Sequence, residues 1–251
     1  MHITTQGLVL REVNYKESDK ILTVLTAGEG KRTVKARGCR RKGSQLAAAA
    51  QLLVYSEMTL FDYRDHCTLS EASTLREFRG LRENITLLAL GSYFAEVAET
   101  VAQEGREDPG VLSLILNSLY ALDALGKPPA LVKAAFELKL MCLIGYEPLL
   151  DACAVCGLPH PERPAFHLRQ GVLHCAACRE GAGPGESVSL DGGALAAMRH
   201  IVYGDPKRLF SFQIGAESMG RLGAACQGFL LTQLERGFRT LDFYRQLAGT
   251  I

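Results

Sequence analysis

Residues 7–38 read GLVLREVNYKESDKILTVLTAGEGKRTVKARG. Three segments within them, GLVLREV, KILTVLTA and KRTVKARG, are rich in Val, Leu and Thr and partly alternate between apolar and polar positions. That alternation is what a strand with one buried face requires. Further along, QLLVYSEMTLFDYRD (51–65) and HCTLSEA (66–72) repeat the pattern, and Gly28, Gly30, Gly38 and Gly43 supply the breaks. Five short strands in the first 80 residues predict a small closed barrel.

An OB-like barrel is one of few all-β solutions of that size and often presents one face to single-stranded nucleic acid. An SH3-like barrel fits the pattern nearly as well. Near Leu81 the period changes to 3.6, and LRENITLLALGSYFAEVAETVAQEG predicts an amphipathic helix ending near Gly105. Asp108-Pro109 has the chemistry of a cap and first helical residue, so a second helix starts there. A third, ALVKAAFELKLMCLIGY (130–146), is apolar enough to be the buried centre of a bundle. After the linker-like GAGPGES (181–187), helical spacing returns in DGGALAAMRHIVYG, ESMGRLGAACQGFLLTQLERG and TLDFYRQL. The expected class is α+β and multidomain: an OB-like barrel at 1–80, helices at 81–150, a cysteine-rich insert at 151–181, and C-terminal helices at 182–251 packing on the helical domain.

The chain has 251 residues, 47% of them hydrophobic, which is ample for real cores. Charged residues stand where a signal peptide would carry its apolar region, and no apolar run approaches the ~18 residues of a membrane span. The expectation is a cytoplasmic protein without a membrane partner. Residues 1–80 hold 13 Lys and Arg against 9 Asp and Glu, and residues 81–251 hold 15 against 18. The positive field therefore belongs to the N-terminal third.

Much of it sits in one place. Lys31, Arg32, Lys35, Arg37, Arg40, Arg41 and Lys42 occupy seven of twelve positions with no Asp or Glu among them. Alternation along a strand forbids Arg32, Lys35 and Arg37 from sharing a face, while Gly38 and Gly43 let 39–42 form a projecting, mobile cationic finger. A phosphate backbone is its natural partner, because neutralising phosphates releases counterions and gives affinity without sequence preference. Tyr55, Phe61 and Tyr63 are candidates for base stacking and equally for the barrel core or its rim. Cys39, inside the basic run, has no evident role at this level.

Cys153, Cys156, Cys175 and Cys178 form two C-x2-C pairs separated by eighteen residues. The spacing is that of a zinc ribbon, with Phe166–Leu168 and Val172–His174 as arms of a hairpin around Gln170-Gly171. Four thiolates close a tetrahedral sphere, so one structural Zn2+ per chain is expected and a catalytic one is not. His160, His167 and His174 then serve no ligand role and are expected to be solvated or to flank the sulfurs. Cys39, Cys67, Cys142 and Cys226 are scattered and read as inert core thiols. No G-x-S-x-G, P-loop or H-E-x-x-H occurs, and no enzyme activity is expected.

GLVLREVNYKESDKILTVLTAGEGK followed by KARGCRRKGS resembles the N-terminal signature of the RecO recombination mediator family. FELKLMCLIGYEPLLDACAVCG resembles that family's later helix, its L-G-Y-x-P turn and its first C-x2-C. The resemblance spans the chain. It implies a non-enzymatic bacterial DNA repair factor, associated with the nucleoid, that binds single- and double-stranded DNA and anneals complementary strands. With RecR, and often RecF, it would load RecA onto strands coated by single-stranded DNA-binding protein. It also implies contact with the acidic tail of that protein, for which Lys133 and Lys139, expected on the rims of the third helix, are candidate contacts. The rival reading of the residues is an OB-fold, zinc-ribbon transcription or translation factor that binds RNA.

Overall fold

The computed structural model describes residues 1–63, 66–179 and 186–249. The end of the fourth expected strand, 64–65, and most of the expected linker, 181–185, lie outside the described residues. Two compact units emerge, Met1–Leu125 with Phe238–Ile251, and Gly126–Gly237.

In the first unit β1 (His2–Tyr15), β2 (Asp19–Thr26), β3 (Gly30–Ala36), β4 (Tyr55–Tyr63) and β5 (His66–Arg76) close in the order β1-β2-β3-β5-β4. The β3–β5 pairing is parallel and the others are antiparallel, and β1 closes the barrel on β4, which makes it an OB-like barrel. Inward positions build one core from Val9, Leu22, Val24, Val34, Ala36, Met58, Leu60 and Leu69.

The two ends of this core are sealed by ion pairs on strand positions of inward parity. On β3, Arg32 shares a face with Val34 and Ala36, and on β4, Asp62 shares one with Met58 and Leu60. The Arg32 guanidinium reaches both Asp62 oxygens at 2.6 Å and Glu29 at 3.2 Å. Burial raises the Asp62 pKa, but hydrogen bonds from Arg32 and Cys67, with the charges of Arg32 and the N-terminus, together outweigh it and leave the carboxyl below its usual range. Toward the other end of β3, Lys20 donates to Glu12 at 2.6 Å and to the Ala50 carbonyl at 3.0 Å.

The connection 37–54 is not a projecting finger. Cys39 and Ala50 are buried in the barrel core, the Leu53 N–H donates to the Val9 carbonyl of β1, and the Val54 carbonyl accepts from the Val9 N–H. The Gly38 N–H donates to the Asp19 carboxylate at 2.8 Å and the Arg40 N–H to the Ser18 carbonyl at 3.0 Å. Gly38 and Gly43 do turn the chain at positive φ, 64° and 79°. Backbone polar groups need partners, and the β1–β2 hairpin supplies them, so the loop is strapped down with only its side chains reaching outward.

Helix α1 (Arg79–Arg82), α2 (Ile85–Val101) and α3 (Pro109–Asp123) follow the barrel. Asn84 caps α2 through the N–H groups of Thr86 and Leu87, and Asp108 caps α3 through Val111, with Pro109 at the first helical position. The second unit holds α4 (Pro129–Leu143), β6 (Leu149–Cys153), β7 (Ala165–His167), β8 (Val172–His174), β9 (Ser187–Ser189), α5 (Gly192–Tyr203) and α6 (Ala216–Leu234). The sheet order is β6-β8-β7-β9, and α5 and α6 pack on α4. The last helix, α7 (Arg239–Ala248), packs on α2 instead: Phe238 meets Tyr93 edge to face at 5.8 Å, and Glu96 accepts from the Thr240 N–H and hydroxyl. The division thus cuts across the boundaries expected from composition, with α2 and α3 beside the barrel and α4 beside the ribbon.

The rim position expected for Lys133 is not what the fold gives. Ten residues of α4 are buried, Lys133 and Glu137 among them. The Lys133 ammonium lies 2.7 Å from Glu137 and 3.0 Å from the Gln227 side-chain oxygen on α6. A helix buried on most faces has little rim, and a charge inside it survives only with a partner. Lys139 is half-buried and donates to the Val202 carbonyl at 3.2 Å.

Two stability results are expected. Lys133→Met, which takes the opposite charge away from a buried carboxylate, should cost about 3–5 kcal/mol in urea unfolding, and Lys133→Met with Glu137→Leu should recover most of it; a mild single variant contradicts the buried pair. Asp62→Asn should cost about 1–2 kcal/mol at pH 7. Because the folded pKa of Asp62 is depressed, its contribution is present above the unfolded carboxyl value of about 4 and is lost as pH falls below it. The gap between Asp62→Asn and the parent protein should therefore narrow toward pH 3, and a gap independent of pH contradicts the assignment.

Candidate nucleic-acid interface and metal-binding ribbon

Strand parity sorts the seven cations of the basic run. Arg32 points to the barrel end, is half-buried and is engaged by Asp62, so it does not share the outer face of β3. Lys31, Thr33 and Lys35 alternate with the core residues and face outward, with Arg37 next in the same row. Lys31 is half-buried and donates to the Glu99 carbonyl at 2.8 Å, near the end of α2. Lys35 lies 3.2 Å from Asp19. The Asp19 carboxyl is lowered first by the Gly38 N–H and then by Lys35. Beyond them Arg37, Arg40, Arg41 and Lys42 are exposed. Among the described residues none of these four is in an ion pair; the Arg40 side chain donates to the Glu17 carbonyl, at 3.3 Å.

Register extends this row across three strands. Tyr15 faces Asp19, Val13 faces Ile21 and Ile21 faces Lys35, so the outer face of β1-β2-β3 carries Tyr15 and Val13 beside Lys35 and Arg37. Tyr15 and Val13 are both exposed. The Lys35 ammonium sits 4.9 Å from the Tyr15 ring centroid and that of Lys16 5.5 Å. Tyr15 and Lys16 are not among the residues expected from sequence. The available signal is an aromatic residue inside a charged turn, YKESDK, joined to the basic run only by folding.

The aromatic residues that sequence does nominate lie elsewhere on the barrel. Tyr55, Phe61 and Tyr63 point outward from β4, so none is a core residue. The Tyr55 hydroxyl donates to Gln6 at 2.6 Å. Phe61 lies between His2, at 4.8 Å, and a parallel Tyr63 ring at 6.5 Å. Glu57 and Glu71 are exposed on the same β4–β5 region. Among the described residues that face lacks the clustered cations of β1-β2-β3.

In the ribbon the expected hairpin forms, Phe166 opposite Leu173, with Gly171 turning the chain at φ 66°. The Sγ atoms of Cys153, Cys156, Cys175 and Cys178 all lie within 4.8 Å of one another, and Cys156 and Cys175 are 3.8 Å apart. A tetrahedron with metal–sulfur bonds of about 2.3 Å has edges of about 3.8 Å, so the four residues are placed to hold a metal ion. Burial raises the Cys153 thiol, but the N–H groups of Cys156, Cys175 and Val155 outweigh it and bring it to about 6. Its neighbours push Cys178 up to about 12, Cys175 foremost. Four thiolates this close repel one another, and a divalent cation removes the conflict.

His160 is exposed, whereas His167 and His174 are buried with rings 5.8 Å apart at 88°. Neither belongs to the metal-binding group. Arg199 of α5 donates to the carbonyls of Leu150, Asp151 and Pro159, on both sides of the first C-x2-C. Burial raises the thiols of Cys39, Cys67, Cys142 and Cys226, as inert residues require, although Cys142 is only half-buried while the other three lie in the core. No helix among the described residues is long and apolar enough to cross a membrane.

Comparison with known proteins covers both units. Residues 1–78 match the family model for the Recombination protein O N terminal region, and residues 82–242 match that for the Recombination protein O C terminal region. The DNA repair protein RecO of Acetivibrio thermocellus is 30% identical over 246 residues, spanning 98% of this chain and 97% of that protein. Its counterpart in Symbiobacterium thermophilum is 31% identical over 238 residues, 94% of each. That of Moorella thermoacetica is 31% identical over 247 residues, 97% of this chain and 91% of that protein. With barrel, helices and ribbon matched in one continuous order, this chain belongs to the RecO family.

Proposed function

We propose that this chain is a non-enzymatic, cytoplasmic mediator of DNA repair and homologous recombination. It binds single- and double-stranded DNA through the barrel and anneals complementary strands. With RecR, and RecF where present, it helps load RecA onto strands coated by single-stranded DNA-binding protein. The observation that carries this reading is the row of exposed cations, Arg37, Arg40, Arg41 and Lys42, beside an aromatic residue on the β1-β2-β3 face of an OB-like barrel.

Annealing needs no bond to be made. Two polyanions must be brought together against their repulsion, after which base pairing supplies the free energy. Cations fixed to a strapped loop do this at a smaller entropic cost than a mobile finger would, because the backbone is ordered before DNA arrives. Sequence independence follows, since phosphates carry no base information. Of the two lysines considered for an acidic protein tail, only Lys139 remains near the surface.

The four cysteines support one structural Zn2+, held by Cys153, Cys156, Cys175 and Cys178. Bound there it would tie the two C-x2-C turns together and supply folding free energy to the ribbon. A closed sulfur sphere gives it no open position for substrate.

Changing Arg40, Arg41 and Lys42 together to Glu should weaken single-stranded and duplex DNA alike and lower the log–log salt slope by about one for each phosphate no longer neutralised. An unchanged slope in the folded variant contradicts the interface. A parallel titration with structured RNA at equal salt should show no preference for RNA, and a clear preference would favour an RNA-binding factor. Metal analysis of freshly reduced protein should find one zinc per chain, and Cys175→Ser should release it and make 151–179 protease-sensitive while DNA affinity changes little. Zinc-free protein contradicts the ribbon assignment.

A further inference from the structure

Tyr15 stands out on the cationic face because its ring is exposed to solvent between ammonium groups and not packed into the core. It ends β1, pairs across the hairpin with Asp19, and is 42% exposed. Its ring is flanked by two ammonium groups, Lys35 at 4.9 Å and Lys16 at 5.5 Å from the centroid. Lys16 holds its place by a positive φ of 54°, the turn conformation that brings the chain back into β2. The basic loop is tied to this same hairpin through Ser18, Asp19 and the Glu17 carbonyl. In barrels of this type the β1–β2 loop and the strand 2–3 face commonly meet oligonucleotides.

We propose that Tyr15 stacks on an unpaired base and is the residue by which this face distinguishes single-stranded from duplex DNA. This rests on the reading of β1-β2-β3 as the DNA interface. The cations alone cannot make the distinction, because both forms of DNA present phosphates. A planar ring can: a single strand turns the face of a base outward, whereas in a duplex both faces of each base are covered by its neighbours. The ammonium groups that rest on the ring in the free protein are within reach of the phosphates flanking the stacked base, so stacking and charge act on one nucleotide. Phe61 and Tyr63 are less suited, since they pair with each other, Phe61 also with His2, on β4 and not on the β1-β2-β3 face.

The chain contains no Trp, so Tyr15→Trp introduces a single indole at the position in question. Its emission should be quenched by a single-stranded oligonucleotide and change little with the same sequence as a duplex. By anisotropy, Tyr15→Ala should lose about tenfold affinity for the single strand, within the roughly 5- to 150-fold range of one stacked base, and less than about twofold for the duplex. Tyr15→Phe should match the parent, because stacking needs the ring and not the hydroxyl. Equal losses on both substrates, no loss on either, or an unquenched indole overturns the stacking role. The Arg40, Arg41, Lys42 to Glu protein separates the two levels of the claim. If it keeps its DNA affinity, the interface itself is misplaced. If it loses affinity while Tyr15→Ala does not, only the stacking role fails.

Discussion

The pleat of β3 is the constraint on which the rest of the barrel depends. Successive side chains must point to opposite faces, so GKRTVKA sends Arg32, Val34 and Ala36 inward and Lys31, Thr33 and Lys35 outward. A one-residue slip would bury two lysines and expose the core valine. The Arg32–Asp62 pair at one end and the Lys20–Glu12 pair toward the other fix the register that keeps the lysines outside. On β3, the lysines of the cationic surface and a part of the apolar core are therefore two faces of the same seven residues.

Charge is used in two distinct ways across the molecule. Arg32, Lys20 and Lys133 are half or fully withdrawn from water, and each has a carboxylate within 3 Å. These pairs hold register and helix packing, and leave little field outside. Arg37, Arg40, Arg41 and Lys42 are exposed with no carboxylate paired among the described residues, so their field extends about a Debye length into solvent. Cys39 connects the two uses: buried in the core, it anchors the loop whose next three side chains carry the charge.

Local pattern is enough for most elements. Period-two alternation locates all five barrel strands, and the Asp108-Pro109 cap, the 3.6 period and the ribbon hairpin stand where their residues indicate. What sequence does not show depends on partners far along the chain. Arg32 looks like its basic neighbours because Asp62 is thirty residues away, and Cys39 has no role until Ser18 and Asp19 are seen to hold its loop. The place of Lys133 is more legible. A helix apolar enough to lie at the centre of a bundle leaves no rim for a lysine, and Glu137 one turn later is the visible partner. Tyr15 escapes a reading of sequence because its cations, Lys35 and the loop, come together only across paired strands.

The placement of DNA on the β1-β2-β3 face is open to one direct measurement, amide hydrogen exchange of the whole chain with and without a saturating single-stranded oligonucleotide. Protection should rise at residues 13–19 and 33–42 and remain unchanged on the outer β4–β5 region and in the ribbon. Protection confined to β4–β5 or to residues 149–179, with 33–42 exchanging as in the free protein, would contradict it.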